Sequence, residues 1–174
     1  MISNPLSFTA LNFDVGELSY RGMTLKQARD AGFADDVLLP AVKLALTQAV
    51  DAAAEALRIS VMTPGAGQAM EYQEAQAQAR AALAVAASGK PVQPSDYPML
   101  AVSIGIDIDP QSGAPAADVL GVARSVQAAY DAWLEIGSAI RGVRLAGKKK
   151  IEAAADIAAA QAAYDAITWS ASAG

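Results

Sequence analysis

Asp107 and Asp109 stand one residue apart in a stretch rich in glycine and proline, a spacing at which two carboxylates can share a calcium ion. A calcium loop also needs further oxygen ligands, a glycine at a fixed offset and a closing glutamate. Here Pro110 follows at once and no such glutamate appears, so capping of a loop is the expected role. Glu71 and Glu74 fall on one face of any helix that holds them, as the carboxylates of di-metal bundles do. Those motifs add a histidine, and this chain has none. Thr63-Pro-Gly-Ala-Gly67 has the glycines of a phosphate loop without its lysine or its preceding strand. It reads instead as a hinge between helices. The serines have no histidine to act as base, and the absence of cysteine removes disulfides and thiolate ligands. No catalytic, cofactor-binding or metal-ligating residue is expected, and neither is an enzyme.

The strongest charge feature is Arg141, Arg144, Lys148, Lys149 and Lys150. Near a helix end such a run complements the helix dipole and faces water; the other reading is a contact with an acidic patch on a partner. Nucleic acid is not an expected partner. The net charge is −5, and no aromatic residues are interleaved with the cations for base stacking.

The chemistry this chain does advertise is apolar. Val119, Val122, Val126, Ala129, Trp133, Ile136, Ile140 and Val143 alternate three and four residues apart. That spacing lays a seam along one side of a helix, as in a coiled coil. Val119, Val122, Val126, Trp133, Ile136, Ile140 and Val143 are therefore the expected interface residues. Trp169 joins them, either as an anchor on its own fold or as a hot spot between subunits.

The rest of the chain must position that seam. About a quarter of the residues are alanine, well above ordinary usage, and only 6% are aromatic. Alanine favours helix but buries little area, so the core should be thin and the chain should gain stability from packing on copies or partners. The expected fold is mainly α, with helical hairpins or a bundle, one long coiled-coil-like helix, and a small extended or β amino-terminal segment. Residues 1–36, with Phe8, Leu11, Phe13, Val15, Leu18 and Tyr20 broken by Gly16, suit a docking arm or a local hairpin that closes one end of the fold. Residues 37–89 suit a helical hairpin turning at 63–67. Residues 90–117 form a linker with a short helix or strand, and 118–174 hold the long helix and a carboxy-terminal helical hairpin. The seam loses its phase after Val143, where Gly147 and Lys150 take the next two core positions. No unbroken apolar run reaches the roughly 20 residues of a bilayer-spanning helix, and the first residues lack a signal-peptide pattern. A protein made in the cytoplasm without membrane insertion is expected.

Two phrases carry a family resemblance. The stretch from Asp51 through Arg58-Ile-Ser-Val-Met-Thr-Pro-Gly-Ala-Gly-Gln-Ala-Met-Glu-Tyr-Gln73 resembles tail-associated proteins of tailed bacteriophages, and so does Tyr97-Pro-Met-Leu-Ala-Val-Ser-Ile-Gly105. In that family a phrase like the first precedes a linker, a phrase like the second, and then a helical hairpin with a basic stretch and a terminal Ile-x-Trp, here Ile167-Thr-Trp169. The similarity covers residues 50–169. It implies a structural component of the virion tail, of fibre, fibre adaptor or baseplate periphery. It also implies self-association, with three copies as the usual symmetry of tail fibres, and docking to other tail proteins. A fibre-assembly chaperone absent from the finished particle and a receptor-binding module are the alternatives. Residues 1–36 carry no resemblance.

Overall fold

The computed structural model describes Leu6, residues 10–61 and residues 66–169. Its described part is mainly helical, with a small two-stranded sheet near the amino terminus. Strands β1 (Leu11–Val15) and β2 (Leu18–Met23) pair antiparallel about a Gly16–Glu17 turn, with Phe13 opposite Tyr20 and an irregularity between Leu11 and Phe13. Helix α1 (Leu25–Asp30) starts at a capping box: Gln27 N donates to Thr24 Oγ1 while Thr24 N donates to Gln27 Oε1. Then follow α2 (Asp35–Val61), α3 (Ala66–Ala87), the single turn α4 (Pro98–Ala101), β3 (Ile108–Asp109) paired with β4 (Ala114–Pro115), α5 (Val119–Ala153) and α6 (Ile157–Asp165). A 3-10 turn at Pro94–Asp96 precedes α4, whose cap position is Tyr97. Asp118 and Asp156 cap α5 and α6, accepting from Gly121 N and Ala159 N at 2.8 and 2.7 Å. The turn expected at 63–67 lies partly outside the described residues, and α3 begins within it at Ala66.

The chain divides into two compact units whose boundaries fall inside α2 and α5. One holds residues 1–58 and 138–174, the other residues 59–137.

The core of the first unit is built by α2, which buries Leu38, Val42, Leu46 and Val50 at successive turns of one face. Leu11 and Phe13 from β1, Ala28 from α1, Ile151 from α5, and Ile157 and Ala160 from α6 complete it. Phe13, Tyr20 and Phe33 form an aromatic cluster, with ring centroids 4.6–5.2 Å apart. Residues 10–36 therefore fold onto their own unit. Within the expected arm, Leu11 and Phe13 belong to this core, while residues 1–5 and 7–9, Phe8 included, lie outside the described residues.

The second unit has a smaller core of Ala79, Ala82, Tyr97, Leu100, Ala116, Val119, Val122 and Ala123. Half of these are alanine, as the composition led one to expect. Close approach substitutes for side-chain bulk here: a methyl on Gly121 would lie 2.8 Å from Ala116 Cβ and 3.2 Å from its Cα. Gly121 lets Ala116, the residue after β4, meet the start of α5.

Helix α2 also bears on the membrane question. It is 27 residues long with a window of mean hydropathy 1.4, enough by length and composition to cross a bilayer. Lys43, Gln48 and Asp51 interrupt its apolar residues, so no unbroken apolar run marks it in the sequence. Of that window 44% is buried inside the fold. Its Lys43 donates to Glu152 O of α5, and its Asp51 accepts from α5 side chains. Those are the contacts of a core helix.

Candidate interaction surface

The eight residues expected to form an interface do not share one environment. Val119 and Val122 are buried in the core of the second unit, and Val126 packs half-buried against it. Ile140 is only 3% exposed. Trp133, Ile136 and Val143 are half-buried, and Trp133 packs its ring beside Gly137. Trp169 is half-buried against the core of the first unit, so of its two readings the structure has the anchor on its own fold. As a correction, Val119, Val122 and Ile140 are core residues of this chain and have little surface left to offer a partner. Ala129, within the seam, is exposed.

The seam also does not end where strict heptads place its end. Ile140, Gly147 and Ile151 are buried, with Arg144 half-buried between them, while Lys150 is exposed. A straight helix turns every 3.6 residues, so the inward stripe drifts from the 3.5-residue pattern and reaches 151 rather than 150. Gly147 is part of that stripe. A methyl there would lie 2.5 Å from Ile167 Cδ1, so the absence of a side chain at Gly147 makes room for Ile167 against α5.

The basic cluster is divided in the same way. Arg144 Nε and Lys148 Nζ donate to the two oxygens of Asp51 at 2.6 and 2.7 Å. Lys148 and then Arg144 hold the Asp51 carboxyl below its ordinary range. Arg141, Lys149 and Lys150 remain exposed, with no ion pair among the described residues. Asp51 had no motif to announce it. The available signal was a carboxylate beside Val50 at the edge of an apolar stripe, where a partner cation is needed.

Asp107 and Asp109 do not act together. Asp109 is buried and accepts a two-pronged contact from Arg124, whose Nε donates to Oδ1 at 2.9 Å, plus a hydrogen bond from Gln111 N at 3.0 Å. The Arg124 guanidinium first, and the Gln111 amide second, bring its carboxyl down to about 2. Asp109 thus ties the β3–β4 hairpin to α5. Among the described residues no three His, Cys, Asp or Glu side chains gather as a metal site requires. Glu71 and Glu74 are exposed, and Glu74 accepts from Gln78.

What the structure leaves in water is a different apolar set. After α4 the chain continues in turns, and Val102 and Ile106, one turn apart, are 74% and 71% exposed; Ile108 follows at 53%. Ile104 between them packs on the core of the second unit. Isoleucines at 104, 106 and 108 would share one face of a strand; the turns at 102–106 separate them instead, with Ile104 inward and Ile106 and Ile108 outward, which their spacing does not announce.

Compared with protein-family models, curated proteins and solved structures, the chain shows no match.

Proposed function

We propose that this chain is a structural component of a bacteriophage tail, a fibre, fibre-adaptor or baseplate-periphery protein that works by helix-mediated association and docking. The proposal starts from the phrases at 51–73 and 97–105, which resemble tail-associated proteins. One observation carries it further. The second phrase ends in a folded knuckle that holds Val102 and Ile106 in water. Scattered exposed aliphatics are ordinary, but neighbouring ones on a rigid turn fit a contact face. Trp133, Ile136 and Val143, half-buried on α5, add partial apolar surface for a coiled-coil-like contact with copies of the chain or other tail proteins.

Mass spectrometry of density-purified particles tests the proposal. The chain is expected among the virion proteins at a fixed ratio to the tail components. Abundance in infected cells with absence from particles would mean an assembly chaperone instead. Substitutions at exposed Gln111 and Ser112 that abolish host adsorption, with intact particles, would mean a receptor-binding module.

A further inference from the structure

The two units differ sharply in charge. Residues 59–137 carry eight acidic and three basic side chains, a net of −5, whereas the other unit balances ten against ten. The whole net charge of the protein therefore resides on the unit that presents the Val102–Ile106–Ile108 knuckle. Asp107 lies within that knuckle.

The first unit, neutral overall, carries a locally basic stripe on an exposed side of α5. Arg141, Leu145 and Lys149 are spaced by four residues, which stacks them along one stripe. All three are exposed, Leu145 at 47%. Arg144 and Lys148, one residue before Leu145 and Lys149, are occupied by Asp51. The stripe thus offers an aliphatic side chain with an exposed cation one turn to either side.

We infer that copies of this chain associate head to tail, the acidic, aliphatic Val102–Ile108 knuckle of one copy seating on the Arg141–Leu145–Lys149 stripe of the next. Apolar surface meets apolar surface at the centre while opposite charges meet around it, the arrangement that fixes register and speeds encounter. The contact is heterologous, using different patches on the two partners, so it propagates from copy to copy. The inference rests on the proposed self-associating role and specifies its contact.

Light scattering on the purified full-length protein over a concentration series tests it. The wild-type chain is expected to grow beyond monomer with concentration, and to do so at least about tenfold less readily when salt rises from 0.05 to about 0.5 M. Ile106→Asp and Leu145→Asp are each expected to remain monomeric with unchanged thermal midpoints, since both positions are exposed. Mixed in equal amounts, the two variants retain one intact knuckle and one intact stripe, and are expected to form a 1:1 dimer and nothing larger. Should Ile106→Asp fold poorly, Val102→Asp takes its place. A wild-type chain that stays monomeric, variants that associate like wild type, or a mixture that stays monomeric would each overturn the inference. A monomeric chain still found in purified particles would overturn this contact alone and leave the proposed tail role standing.

Discussion

Asp109 is the side chain whose ionisation the second unit depends on most visibly. Its folded carboxyl titrates at about 2, below the ordinary value near 3.9. A group depressed on folding contributes stability above its unfolded value and loses it as pH falls through the folded one. Asp51 is lowered in the same direction by Lys148 and Arg144. The thermal midpoint is therefore expected to hold from pH 7 to about 5 and to fall between about pH 4 and 2. Asp109→Asn is expected to lower the midpoint at pH 7 and to flatten that acid limb; an unchanged limb would mean that Asp109 and Arg124 are not paired in solution. Two glycines make a second residue-level comparison. Gly121→Ala drives a methyl against the Cβ and backbone of Ala116, and is expected to cost about 1–3 kcal/mol. Gly142, also on α5, is exposed with nothing within 4 Å of an added methyl. Gly142→Ala is expected to stabilise the fold by about 0.4–1 kcal/mol. Urea melts of the two variants decide between close approach and simple helix propensity as the reason for Gly121.

At the scale of elements, most helix positions were legible because their signals are local. Thr24 and Asp118 announce helix starts, and the long apolar period of 119–143 requires a helix. What covers a helix is not local. The same spacing that suggests a seam between molecules serves equally to bury Val119 and Val122 under Ala79, Ala82 and Leu100 of the same chain. Nor does a heptad count register the slow rotation that brings Gly147 and Ile151 inward and leaves Lys150 outside. The partnership of Asp51 with Arg144 and Lys148 spans more than 90 residues of sequence, beyond the reach of any spacing rule. Two substitutions separate the seam from the fold. Ile151→Ala empties a fully buried position and is expected to cost about 2–5 kcal/mol. Ala129→Glu sits in the seam but in water, and is expected to change stability by no more than about 0.5 kcal/mol. A large loss from Ala129→Glu in thermal or urea melts would restore the continuous seam as the chain's principal interface.

For the molecule as a whole, the chain joins a neutral unit with a leucine- and valine-rich core to an acidic unit whose smaller core is half alanine. The sequence alone revealed the net charge but not its division, because the boundaries at 58/59 and 137/138 fall inside helices, with no linker to mark them. The exposed knuckle belongs to one unit and the basic stripe to the other, and the proposed head-to-tail contact uses both. Immunogold electron microscopy of purified phage particles, with antibody raised against this chain, tests the tail assignment most directly. Gold is expected on the tail, its fibres or its baseplate edge. Particles whose tails stay unlabelled, while the same antibody detects the chain in infected cells, would contradict it.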